Sequence, residues 1–197
     1  MPLFKFKKSG GPRNLELSMA GLTLGKNVLQ VYGSDSGLIT ALASVVGMSG
    51  QACAVAGTQE HAEAFERMAA SGGVLVEVKV AQLASLPYDD GQFDLVVIKQ
   101  VLGELTQNDR VLCLQQALRV LTAGGRCLVI DPAMRGGLGA VFSRQSLDRR
   151  YVEGGGAQSA LKHEGFRGVR LLAERDGLIF AEGTKTTGPE TGSSPPA

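Results

Sequence analysis

A chain of 197 residues with 20 Lys and Arg against 19 Asp and Glu is long enough to close one full hydrophobic core, and it carries almost no net charge. That balance excludes a global electrostatic pull toward nucleic acid or an anionic membrane, and no apolar run reaches the roughly 18 residues a membrane span needs. The three cysteines, Cys53, Cys113 and Cys127, are odd in number and lack any CxxC spacing. With only His61 and His163 besides, neither a disulfide framework nor a zinc site is expected, and the thiols read as buried and reduced in a cytoplasmic protein.

The opening stretch MPLFKFKKSGGPRN has lysines but no apolar segment behind them, so it is not a secretory signal. It reads as a flexible N-terminus over residues 1–14, and the Gly-, Pro-, Ser- and Thr-rich residues 186–197 as a disordered tail. Between them lies one domain, residues 15–185. NVLQVY is a short strand. SGLITALASVVG is a helix with Leu38, Leu42 and Val45 on one face, stopped by Gly47. ACAVA is a second buried strand. TQEHAEAFERMAASGG is a helix capped by Thr58, with Ala62, Phe65, Met68 and Ala69 as its apolar stripe.

VLVEVKVAQL is a third strand and LPYDDGQ a turn, with Tyr88 as a packing residue. FDLVVIK, almost wholly apolar after Asp94, is a fourth strand of the kind buried on both faces of a parallel sheet. NDRVLCLQQALRVLTAGG is a helix with Val111, Leu114, Leu118 and Leu121 on its buried face, capped by Asn108 and ended by Gly124-Gly125. RCLVIDP is a fifth strand, followed by a glycine-rich loop. A helix through GGAQSALKHEGF leads to two strands, VRLLAER and GLIFAEGTK, joined by only Asp176-Gly177 and therefore an antiparallel hairpin.

Strands and helices alternating in this way predict an α/β fold: a mostly parallel seven-stranded sheet with helices on both faces and a C-terminal antiparallel hairpin. Ligands of such sheets bind beyond the carboxyl ends of the strands. That rim is Tyr32–Gly37, Ala56–Thr58, Ala81–Leu83, Lys99–Leu102 and Asp131–Arg135.

Three stretches in order carry a family likeness. LPYDDGQFDLVVIKQVLGEL and ALRVLTAGGRCLVIDP resemble the fourth strand, following helix and glycine turn before strand five of the class I S-adenosylmethionine (SAM)-dependent methyltransferases, in the branch acting on quinones and other small molecules. LKHEGFRGVRLL is similar to that family's late helix and sixth strand. The likeness spans Leu22 to Lys185 and implies the Rossmann-like class I methyltransferase fold, with SAM as cofactor.

The cofactor motif departs from the family's pattern. An acidic residue, an apolar one and G-x-G-x-G are the family's first motif. Without a gap, Gln30 stands for the acid and Tyr32, Ser34 and Ser36 for the glycines. A shift of one residue places Gly33 and Gly37 on the outer glycines and Asp35 on the middle one, where its charge opposes the cofactor carboxylate or pairs with the ammonium. Ala56 stands where the family has the acid that holds both ribose hydroxyls, followed by Gly57 and by Thr58, which offers one hydroxyl. Gln82 stands where an Asp meets the adenine amino group. Leu83 and Lys99 complete the expected cofactor-binding set. Each lost charge-assisted hydrogen bond removes roughly 1.5–3 kcal/mol, so two or three together weaken binding by tens to thousands of fold.

Methyl transfer depends chiefly on aligning donor and acceptor. Asp131 and Glu104 are the rim carboxylates available as a base. The segment Met134–Phe142 reads either as a lid over an apolar acceptor or as a packed connection. The missing G-x-G-x-x-G disfavours a dinucleotide, and acids interspersed among Arg144, Arg149, Arg150, Lys162, Arg167 and Arg170 argue against a nucleic-acid surface. Two functions follow: SAM-dependent methyl transfer to a small-molecule acceptor, or a catalytically inactive methyltransferase-like protein that binds another ligand or a protein partner. The oligomeric state has no signature in the sequence.

Overall fold

The computed structural model describes residues 13–133 and 148–186. Its core is a seven-stranded sheet of order β3-β2-β1-β4-β5-β7-β6. Strands β1 (Asn27–Val31), β2 (Gln51–Ala56), β3 (Glu77–Val80), β4 (Phe93–Lys99) and β5 (Leu121–Pro132) run parallel. Strand β7 (Leu178–Thr184) inserts antiparallel between β5 and the edge strand β6 (Arg167–Arg175). Asp176 (φ 55) and Gly177 (φ 78) both sit in the left-handed region that a two-residue hairpin turn requires. The expected fold class, with its C-terminal antiparallel hairpin, is what the chain adopts.

Helices cover both faces. Against one face pack α1 (Asn14–Ala20), α2 (Ser36–Val46) and α3 (Gln59–Ser71), burying Val28, Leu42, Phe65, Val97 and Phe180. Against the other pack α4 (Gln107–Val120), the short α5 (Arg149–Glu153) and α6 (Gly156–His163), burying Leu29, Val96, Leu114, Leu161 and Phe166. Each such side chain taken fully from water contributes about 1.5–3 kcal/mol. Cys53, Cys113 and Cys127 are buried and unpaired within this core, and Tyr88 packs edge-on against Phe93 at 5.0 Å. Among the described residues no helix is long and apolar enough to cross a membrane.

The sequence misplaces several boundaries. Helix α1 has no counterpart in the sequence reading, and it begins at Asn14, inside the stretch expected to be unordered. Thr58 caps α3 as expected, accepting from the His61 amide at 3.3 Å, but Met68 faces solvent, 42% exposed. On α2 it is Val46 rather than Val45 that joins Leu38 and Leu42 inside. Helix α4 is capped by Thr106, whose hydroxyl accepts from the Asp109 amide, and not by Asn108. It stops at Val120 because Leu121 is drawn into the sheet opposite Phe93. Gly124-Gly125 therefore lie in an excursion of β5, which regains its pairing at Arg126 opposite Leu95. The candidate lid Met134–Phe142 and most of the tail lie outside the described residues.

Removing a helix cap typically costs about 1 kcal/mol, whereas an exposed helix substitution stays within about 0.5 kcal/mol. Urea unfolding of Thr106→Ala is therefore expected to show a loss near 1 kcal/mol and Asn108→Ala almost none; equal effects would return the cap to Asn108.

Candidate functional site

The turn after β1 is where the sheet's topology places a site. Val31 is buried, and the Tyr32 amide donates to the Val55 carbonyl at 2.8 Å, so the chain stays on the sheet one residue beyond the strand. Tyr32 then enters the left-handed region (φ 52), followed by Gly33 (φ 83). Such a conformation costs a bulky residue on the order of 1–3 kcal/mol and persists only when its surroundings enforce it. Those surroundings are visible. The Tyr32 hydroxyl donates to the Ala81 carbonyl at 2.6 Å, and the ring crosses the end of β2 to reach it. A Cβ on Gly57 would lie 3.2 Å from that ring, so the glycine makes room for the tyrosine. A Cβ on Gly33 would lie 2.9 Å from the Lys99 carbonyl, which shows how closely the turn meets the end of β4.

The second feature is a cluster of four charges. Arg13, just ahead of α1, grips Asp35 with both terminal nitrogens at 2.8 and 2.6 Å and touches Glu16 at 3.2 Å. Lys99, at the end of β4, bonds to Glu16 and to Asp35, the latter at 2.5 Å. Glu16 and Lys99 are 6% and 8% exposed, burial that neither charge tolerates without a partner. Burial alone would raise the Asp35 carboxyl, but hydrogen bonds from Arg13 and Lys99 outweigh it and hold it down at about 2. Gly37 serves this cluster too: a Cβ there would come within 2.6 Å of the Arg13 guanidinium. Gln30, fully buried, donates to the Asp35 carbonyl at 3.0 Å and so braces the turn; its Oε1 has no partner among the described residues.

Beside these features opens a cleft of about 370 Å³, within the size range of small-molecule sites. Of the expected cofactor set it is lined by Tyr32, Gly33, Ser34, Asp35, Gly57, Thr58 and Lys99. Gln30, Gly37, Ala56, Gln82 and Leu83 do not line it. Gln30 and Ala56 are buried in the sheet, Gly37 faces Arg13, and Gln82 and Leu83 lie beyond the tyrosine. Glu104 lines the cleft; Asp131 does not, being buried and bonded to the Tyr151 hydroxyl at 2.6 Å. His61, exposed in the first turn of α3, joins the lining with Gln100, Val101 and Leu105. Its place three residues after the Thr58 cap, in the first turn of a helix opening from the rim, was the available signal. Arg13 and Glu16 offered none, since their partners lie far along the chain.

The chain belongs to the methyltransferase domain family, whose sequence profile matches residues 31–129. The ubiquinone/menaquinone biosynthesis C-methyltransferase of Laribacter hongkongensis is 28% identical over 119 residues, which cover 60% of this chain and 48% of that protein. The corresponding protein of Ectopseudomonas mendocina is 30% identical over 129 residues, covering 62% and 50%. The chain thus spans about half the length of the curated relatives it matches. Among solved structures, a SAM-dependent methyltransferase from Aquifex aeolicus superposes with a TM-score of 0.70 at 21% identity, over 89% of this chain and 94% of that one. The [4+2]-cyclase SpnF superposes with a TM-score of 0.66 at 19% identity, over 88% and 79%.

S-adenosylmethionine is the cofactor that this family and the Aquifex aeolicus neighbour support. Part of the path expected for it is taken by the protein's own side chains. The Tyr32 ring stands on Gly57, next to the position expected to hold the ribose, and its hydroxyl occupies the backbone beside Gln82, where the adenine is expected. At the methionine end, Asp35 is already engaged by both nearby cations.

The charge cluster has a measurable signature. The Asp35 carboxyl is depressed from an ordinary 3.8 to about 2, so its contribution to stability is present above pH ~4 and is lost as pH falls toward ~2. Discounted for partial solvent screening, the contribution is about 1–2 kcal/mol. Unfolding followed between pH 5 and pH 2 should show this loss in the native chain and a correspondingly flatter profile in Asp35→Asn; identical profiles would remove Asp35 from the ionised cluster.

Proposed function

We propose that this chain is a non-catalytic member of the methyltransferase family, a binding protein that keeps the fold and the cleft while its own side chains close the cofactor path. One observation carries the reading: Tyr32, held at positive φ, spans from the end of β1 to the Ala81 carbonyl across Gly57. A tyrosine in that conformation is paid for by the hydrogen bond and the ring contact together, and Gly57 is shaped to receive it. The absence of carboxylates at Gln30 and Ala56 supports the same reading, because little remains to draw a cofactor in against Tyr32. Within the fold, activities other than methyl transfer occur, as the [4+2]-cyclase neighbour illustrates.

A second reading, methyl transfer to a small acceptor, draws on the cleft that remains open between Gly33, Thr58 and Glu104. In that case Glu104 is the carboxylate in reach of an acceptor.

Calorimetric titration of the full chain with SAM and S-adenosylhomocysteine to ~1 mM separates the two. No saturable heat is expected from the native chain. Tyr32→Gly, which removes the ring and suits the positive φ, is expected to bind at least tenfold more tightly, about 1.4 kcal/mol. Micromolar binding by the native chain, followed by turnover, would establish the second reading instead.

A further inference from the structure

A second cleft, separate from the one beside Tyr32, lies between α5, α6 and the β5–β7–β6 end of the sheet and measures about 250 Å³. Its walls are largely apolar, with Val152, Ala157, Leu171, Ile179 and Ala181 among them. Leu171 is 46% exposed at the rim, an apolar side chain with nothing described above it. Into this apolar setting β5 delivers Asp131, only 8% exposed. One of its oxygens, Oδ2, accepts from the Tyr151 hydroxyl at 2.6 Å. The other, Oδ1, is buried and has no partner among the described residues.

An acceptor left in that state is costly, more so for a charged group, and such groups call for an explanation. Among the described residues the lining contains no Lys or Arg. Arg110 lies on the far side of Tyr151, 4.3 Å from the ring centroid, and is committed to the Leu102 and Leu105 carbonyls and to Asp148. Glu174, exposed at the other side of the cleft, adds a second carboxylate. Burial raises the Asp131 carboxyl despite the opposing Tyr151 hydrogen bond and Arg110 charge, as expected of a carboxylate short of donors.

We propose that this cleft is a binding site for a small protonated amine with an apolar body, the ammonium drawn to the Asp131 carboxylate and the body lying against Leu171, Ile179 and Ala181. The site goes beyond the cofactor-cleft reading and is independent of it, since none of these residues lines the cleft beside Tyr32. Its size suits a ligand of one ring or a short alkyl chain, and Glu174 at the rim favours the cation over a neutral analogue.

The test is titration of the full chain with benzylamine at pH 7, followed by calorimetry and by perturbation of Tyr151 and Leu171 in NMR spectra, with benzyl alcohol as the neutral isostere. Saturable binding of benzylamine is expected, at least tenfold stronger than that of the alcohol. Asp131→Asn, which preserves an acceptor for Tyr151, is expected to reduce the preference for the cation severalfold, and Leu171→Trp to block both probes by filling the rim. Because Leu171 is exposed, that variant tests the site even if Asp131→Asn fails to fold. Asp35→Asn, in the other cleft, is expected to leave benzylamine binding unchanged. Absence of saturable binding, equal affinity for amine and alcohol, or binding unaffected by Leu171→Trp would each overturn the assignment.

Discussion

Lys99 ends the central strand β4 in a place where water scarcely reaches, and a buried ammonium is tolerable only with carboxylates against it. Glu16 and Asp35 supply them from two different parts of the chain, and Arg13 restores the balance of charge. The cluster thereby fastens α1 and the turn after β1 to the middle of the sheet. A buried pair of this kind adds little net stability by itself, but breaking one partner leaves the others exposed to the full penalty. The arrangement is therefore better understood as fixing a geometry than as strengthening the fold: it sets where the turn after β1 stands relative to β4, and with it the shape of the cleft.

Tyr32 depends on that fixed turn. Its backbone conformation is unfavourable in isolation, and it is held from one side by the β2 carbonyl that its amide meets and from the other by the carbonyl of Ala81. Gly57 beneath the ring leaves room that a Cβ would crowd at 3.2 Å, and Gly33 lets the same turn close on the Lys99 carbonyl, with which a Cβ would collide. Glycines that in a nucleotide site let a ligand approach the backbone here let the protein approach itself. The outcome is a rim at which Asp35 and Lys99 are paired internally, whereas an acceptor of Asp131 at the second cleft has no partner among the described residues.

The fold was legible because its signals are local or periodic. Thr58 ahead of an amphipathic helix, Asp176-Gly177 between two β-rich runs, and the apolar run of FDLVVIK each specify their element within a few residues. Leu121 was misread because its helical periodicity lost to a tertiary pairing with Phe93 that periodicity does not encode. The site was half legible. Seven of the expected positions do line the cleft, since a strand end plus its following turn predicts a rim. The roles within it were not legible: Gly37 was assigned to a cofactor and proves to accommodate Arg13, and Asp35 was aimed at a methionine group and proves to meet two cations. Contacts between residues 22 and 83 positions apart leave no trace in local pattern, and neither does a buried atom without a partner, such as Asp131 Oδ1.

The order of strands has its own bearing on how the chain is made. Because β7 lies between β5 and β6, the run Leu128–Ile130, fully apolar and destined for complete burial, has a bare hydrogen-bonding edge until its partners Phe180–Glu182 have emerged from the ribosome. A partly synthesised chain therefore presents a sticky, unpaired strand for the time taken to translate the intervening residues, the kind of surface that recruits other chains. Closing the sheet is the task of its last strand, and a nascent chain stalled before it is an aggregation template that chaperones would have to shield.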